Sequence, residues 1–215
     1  MKTVMGLLLK AYLWTHERVH ERVFHSLAIR YFDGVHPKNI YHFRSEFFVD
    51  QASADDVVLD VACGTGKILA EMAPKIRRGI GLDYDEKNLV ICRGRSTQGK
   101  LEFCSGDILT YDYAGLRARF PYTKAIFSHI LEHVEDVPAL LRRVAAKELL
   151  ICVPSQENWY RQTLKNLGLR YFTDVTHFRE YTRKMLTDEL RASGYKIAEI
   201  AFNAEGEIIC RALLE

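Results

Sequence analysis

The sequence is short of cysteine, of charge excess and of long apolar runs. Five cysteines stand in 215 residues, at positions 63, 92, 104, 152 and 210. Their odd number and wide spacing inside mostly apolar segments exclude a disulfide frame or a zinc ribbon, and fit reduced core thiols in a cytoplasmic protein. Thirty Lys and Arg oppose twenty-eight Asp and Glu for a net charge of +2, and no basic run exceeds two residues. That balance gives no sign of a dedicated nucleic-acid surface and leaves room only for local anion contacts. The most apolar stretch, VMGLLLKAYLW at 4–14, is about half a membrane span and is broken by Lys10. It runs into HERVHERV with no small-residue cleavage site, so neither a span nor a signal peptide is expected. Internal repeats and low-complexity tracts are absent as well.

The length suits one substantial core with additions. Val19, Val23 and Leu27 extend an i, i+4 stripe, which predicts one amphipathic helix over about residues 6–30. Such a helix can dock on its own domain, on a dimer partner, or peripherally on a membrane surface. His16 and His20 share a face of it, as a solvated pair or, less simply, as metal ligands. Residues 1–50 thus read as an N-terminal helical extension and 51–215 as the main domain.

Beyond Val57 the pattern becomes short apolar strands alternating with helices. VVLDV (57–61), RGIGLD (78–83), LEFC (101–104), KAIFSH (124–129) and LLICV (149–153) read as buried strands. Helices are predicted near 67–73, 85–95, 112–119 and 136–147. This alternation implies βαβ units and a parallel sheet covered on both faces. KIAEIAF and EIICRAL, flanking NAEG, read instead as an antiparallel hairpin.

In VVLDVACGTGKIL, a strand ending near Asp60 meets a glycine turn and then a helix, which lets a ligand approach the backbone at the sheet's carboxyl edge. Gly64 and Gly66 are followed by Leu69, so the third glycine of the dinucleotide fingerprint is missing. No Gly-Lys-Ser/Thr follows, which excludes a P-loop. A nucleoside ligand without phosphates fits better. Asp83 ends the second strand, where a carboxylate can take both ribose hydroxyls, and Asp107 follows the third, where it can meet an adenine amine. Each acid alone is equally well a cap or turn residue. Their succession after consecutive strands favours the nucleoside.

DVACGTG, GLDYDEKNL, GDI and ILEHVED, in this order, resemble the class I S-adenosylmethionine-dependent methyltransferases over residues 55–215. Ala62 stands where many members carry glycine. The resemblance implies an α/β, three-layer Rossmann-like fold with a seven-stranded sheet of order 3-2-1-4-5-7-6, six strands parallel and the last antiparallel. It implies S-adenosyl-L-methionine as cofactor and S-adenosyl-L-homocysteine as product. Asp60, Gly64 and Gly66 would line the methionine end, Asp83 the ribose and Asp107 the adenine, with Ala62, Tyr84, Ile108 and His129 as further cofactor-binding residues. The sulfonium is an activated donor, so the protein chiefly aligns a nucleophile and excludes water. A base is required when that nucleophile is a hydroxyl or a protonated amine.

SHILEHVED at 128–136 offers candidates for that base. His129, Glu132 and His133 stand at i, i+3 and i+4, so one helical turn would gather them. The stretch resembles the E-x-x-E-H run of ubiquinone-type O-methyltransferases, where two carboxylates and a histidine can hold a cation. With His129 replacing the first carboxylate, His129, Glu132 and His133 form an alternative metal set, although no metal is the simpler expectation. The turn is otherwise a structural brace, or His129 and His133 act as bases. A second cluster, THFREYT at 176–182, resembles the acceptor-pocket border of small-molecule methyltransferases. It adds His177 as a catalytic candidate and Arg179 as an acceptor contact, against an internal salt bridge, with Thr182 as a helix N-cap.

The acceptor is less legible. Aromatic residues gather in HPKNIYHFRSEFF (36–48) and in PSQENWYRQTLKNLGLRYF (154–172), as core or as pocket lining. No NPPY-type motif for base amines is present. The expected partner is a small-molecule, sugar or lipid-linked acceptor rather than nucleic acid, with oxygen the preferred target because histidine bases are at hand. The alternatives are a non-catalytic methyltransferase-like scaffold and a protein or amine N-methyltransferase.

Overall fold

The computed structural model describes residues 2–19, 23, 25–31, 43–95, 99–172 and 174–215. His20, named above, and Tyr41 of the aromatic stretch at 36–48 lie outside the described residues. At the N-terminus, α1 (Lys2–Val19) and α2 (His25–Tyr31) occupy the stretch predicted as one helix. Among the described residues no helix is long and apolar enough to cross a membrane.

Seven strands form the sheet: β1 (Val57–Val61), β2 (Arg78–Asp83), β3 (Leu101–Ser105), β4 (Lys124–Ser128), β5 (Glu148–Val153), β6 (Tyr195–Phe202) and β7 (Ile208–Leu214). Their order is β3-β2-β1-β4-β5-β7-β6. β1 to β5 pair in parallel, and β7 runs antiparallel to both β5 and β6. Six strands therefore point one way and β7 opposes them. The chain builds outward from β1 through β2 to β3 and then crosses back to β4 on the other side of β1, so the sheet's switch point lies between the carboxyl ends of β1 and β4.

All five residues of β1 are buried because helices cover both faces. One face carries Leu59, Val61, Leu82 and Phe127 against α6 (Tyr113–Arg119), α7 (Val137–Val144) and α9 (Arg183–Ala192). The other carries Val58, Ile126 and Leu150 against Leu69 and Met72 of α4 (Lys67–Met72) and Phe48 of α3 (Phe43–Asp50). α3, expected as part of the extension, thus contributes a fully buried ring to the main core. Each such side chain stabilises the fold by roughly 1.5–3 kcal/mol, so the layered sheet sets the overall stability. α5 (Glu86–Arg95) and α8 (Trp159–Asn166) complete the helices used below. Asp112, Asp136, Asn158 and Thr182 each cap a helix by accepting a backbone N–H.

Candidate active site

Beyond β1 the chain turns sharply, and the turn is built by left-handed residues. Ala62, Gly64 and Gly66 all have positive φ, at 61°, 53° and 69°. An L-residue pays roughly 1–2 kcal/mol for this conformation, which gives a physical reason for glycine at the position of Ala62. The turn is tied down by Cys63 N–H to the Leu82 carbonyl (3.0 Å) and Gly66 N–H to the Cys63 carbonyl (2.9 Å). A Cβ at Gly64 would meet no atom within 4 Å, so that corner faces open space.

Two acids sit behind this opening. Asp83, 5% exposed, accepts from Gly64 N–H at 2.8 Å and Asp85 N–H at 2.9 Å, with the Asn88 amide at 3.4 Å. It braces the glycine turn as well as ending β2. Asp60 is buried, and its Oδ2 has no hydrogen-bond partner. Burial, helped by the Asp83 charge, pushes its carboxyl up to about 7. A buried, unpartnered acid beside a second acid at an open corner fits a cationic ligand group. The donor set therefore suits S-adenosylmethionine, whose methionine end carries positive charge.

The flanking candidates occupy consistent places. Tyr84 is 79% exposed directly after β2. Asp107 is exposed after β3 and accepts from Leu109 N–H at 2.7 Å, while Ile108 is half-buried against the core. These residues share the carboxyl edge of the sheet with Asp60 and Asp83, although the Asp107 turn bond is also what an ordinary turn residue makes.

Across the switch point, β4 is followed directly by His129, another left-handed residue (φ 54°). Its Nε2 meets Glu207 Oε1 at 3.0 Å and its Nδ1 meets Glu132 Oε1 at 3.4 Å, with the Cys152 thiol 3.8 Å from Nε2. Burial works to lower the ring's pKa, but contacts with Cys152, Glu132 and Glu207 overcome it and push it up to about 11. Both nitrogens face acids, whose contacts favour the protonated ring. Glu207 and Cys152 had no signal in the sequence, because Cys152 comes beside β4 through the parallel pairing of β4 with β5, and Glu207 through the antiparallel pairing of β7 with β5.

His133 and His177 are neighbours, their rings edge-on with centroids 4.5 Å apart. His177 is bound through Nδ1 to Glu180 at 3.0 Å, and Arg179 pairs with Glu189 at 2.5 Å. Arg179 thus has the internal salt bridge weighed above, and Thr182 caps α9 through Met185 N–H at 3.1 Å. Among the described residues, the expected set of His129, Glu132 and His133 is not one cluster of donors. The possible groupings are His129 with Cys152 and Glu207, and Glu132 with His133 and His177.

A family model described as a methyltransferase domain matches residues 36–200. No curated protein matches the sequence. Magnesium protoporphyrin IX methyltransferase from Synechocystis PCC 6803, solved with bound S-adenosylhomocysteine, is 16% identical, with 100% of each chain covered and a TM-score of 0.64. An O-methyltransferase family 2 protein from Planctomyces limnophilus in complex with apigenin is 19% identical, covering 80% of this chain and 57% of that one, at 0.62. A small RNA methyltransferase is 18% identical over 80% of this chain and 25% of its own, at 0.64. The acceptors differ while the fold is shared. With its strand order and its glycine turn between two acids, the chain belongs to the class I S-adenosylmethionine-dependent methyltransferases.

Proposed function

We propose that the protein methylates a small or lipid-linked acceptor of apolar character, at an oxygen that is already acidic. The observation that carries this reading is a cavity of about 390 Å³ between α1 and α8, lined by Leu9, Tyr12, Leu13, His16, Trp159, Tyr160 and Thr163. α8 begins six residues beyond the carboxyl end of β5, on the cofactor side of the sheet. An aromatic and aliphatic lining with few polar groups suits an apolar acceptor. Val4, Met5, Leu7 and Leu8 are exposed along the same helix and support an acceptor with an apolar tail.

The reaction class follows from what the side chains offer. The donor supplies a methyl group already activated for displacement. Asp60 and Asp83 hold the donor's charged and hydroxylated groups, and the sheet edge orients it. Positioning of this kind can lower a barrier by roughly 7–11 kcal/mol. His129 is held between two acids and His177 is bound to Glu180, so the expected proton acceptors are engaged. An acceptor that ionises without help, such as a phenol or a carboxylic acid, meets this arrangement. Aliphatic alcohols do not.

Purified protein supplied with S-adenosylmethionine is tested against matched apolar phenols, carboxylic acids and alcohols. Turnover of the acidic oxygens is expected, with Trp159→Ala raising KM while leaving S-adenosylhomocysteine affinity unchanged. Turnover confined to alcohols or amines, or an unchanged KM in Trp159→Ala, would overturn it.

A further inference from the structure

We infer that Glu132, His133 and His177 form a site for a divalent transition-metal ion of the zinc type, joining the turn after β4 to the loop before α9. One ligand atom from each of the three residues lies within 4.8 Å of the other two. Glu132 is 0% exposed, yet neither of its carboxylate oxygens has a hydrogen-bond partner. Its 3.4 Å approach to His129 Nδ1 is an ion pair that lacks hydrogen-bond geometry. A buried carboxylate in that condition is costly unless a cation completes it.

The two histidines carry the outer partners that metal ligands require. Thr176 Oγ1 donates to Asp174 Oδ1 at 2.8 Å, so its contact with His133 Nδ1 at 3.0 Å must be a bond that the ring donates. That places the lone pair of His133 on Nε2. His177 Nδ1 lies 3.0 Å from Glu180 Oε1, the carboxylate–histidine pairing that orients ligating imidazoles. Backbone pairing already brings the segments together, since Phe178 N–H donates to the Glu132 carbonyl at 2.9 Å.

Two imidazoles and one carboxylate suit zinc rather than magnesium or calcium, which prefer all-oxygen shells. Three protein ligands leave a fourth position for water. Binding would draw the ligand atoms in to roughly 3.3 Å from one another, the tetrahedral edge for such bond lengths. His129 is excluded from the set because it is committed to Glu207 and Cys152. The inference does not depend on which acceptor is methylated.

The test is calorimetric titration of chelator-stripped full-length protein with Zn²⁺, together with the visible spectrum after Co²⁺ addition. One site per chain is expected, with cobalt d–d bands and no thiolate charge-transfer band. Glu132→Gln and His177→Gln should each weaken binding by about 100-fold or more, Thr176→Val by about tenfold, and His129→Gln little. Circular dichroism and S-adenosylhomocysteine binding verify that each variant is folded. No binding by folded wild-type protein, a thiolate band, or equal affinity in wild type and His177→Gln would each overturn the site.

Discussion

The two sides of the switch point use one backbone device for opposite ends. Ala62 after β1 and His129 after β4 are both non-glycine residues in the left-handed region, and each turn sits beside buried acids. At the β1 side the acid is left alone: Asp60 Oδ2 has no partner and the corner at Gly64 is open. At the β4 side His129 stands between two acids, close to Glu207 at 3.0 Å and only in ion-pair range of Glu132 at 3.4 Å, whose oxygens have no hydrogen-bond partner. An unpaired buried acid costs stability, whereas a paired one fastens strands together. The His129–Glu207 pair therefore fastens the β4 side, while Asp60 has no such partner at the β1 side.

Removing the cation from the fastened side should have the largest effect. His129→Gln leaves Glu132 and Glu207 facing each other without it, and is expected to cost roughly 3 kcal/mol in denaturant unfolding at pH 8. The folded-state pKa of His129 is raised to about 11, so the ion pair's contribution is fully present below about pH 6.5 and is lost as pH rises through about 11. The gap between wild type and variant should close in that window. A pH-independent gap would mean that packing, not charge, accounts for the loss.

On the binding side, Asp83→Ala should weaken S-adenosylhomocysteine about 100-fold in calorimetry, because it removes a charged acceptor and frees the Gly64 N–H that braces the turn. The fold should survive. Unchanged affinity would take Asp83 out of the site and erase the contrast between the two sides.

A smaller effect concerns Asp60. Its carboxyl is raised to about 7, so in the ligand-free protein its burial disfavours folding progressively as pH rises from about 4 to 7. The charged form attracts the cationic ligand, and affinity should improve several-fold between pH 6 and 8. Asp60→Asn should flatten that pH profile while raising the melting temperature of the empty protein at pH 8. A variant that is less stable and keeps the profile would contradict the assignment.

The smallest change expected is at Ala62. Replacement by glycine relieves left-handed strain at the cost of unfolded-state entropy, so a gain below about 1 kcal/mol is expected. His129→Gly would not behave likewise, since the charge is lost with the strain.

The sheet was legible because its central strands are short, mostly apolar runs bounded by turn residues. VVLDV and RGIGLD matched the observed strands end to end, and KIAEIAF with EIICRAL paired as the expected hairpin. The meeting of the glycine turn with Asp83 was legible for a related reason: a strand, its turn and the acid of the next, adjacent strand lie close in the chain, and Gly64 N–H donates to Asp83. The chemistry of the histidines was not. Local spacing placed His129, Glu132 and His133 on one helical turn, but the segment forms only a 3-10 turn at Leu131–His133 and His129 is left-handed.

What the sequence determined by itself is thus the layered fold and the acids that follow successive strands, which periodicity and short-range spacing encode directly. The strand order was implied only by the resemblance of the motifs to a known family. What only the tertiary structure decided is which charges meet. Glu207 reaches His129 through strand pairing, His177 reaches His133 through a loop folded back on the β4 turn, and α1 meets α8 across the pocket. Such meetings join segments far apart in the chain, and burial then decides the charge each group carries.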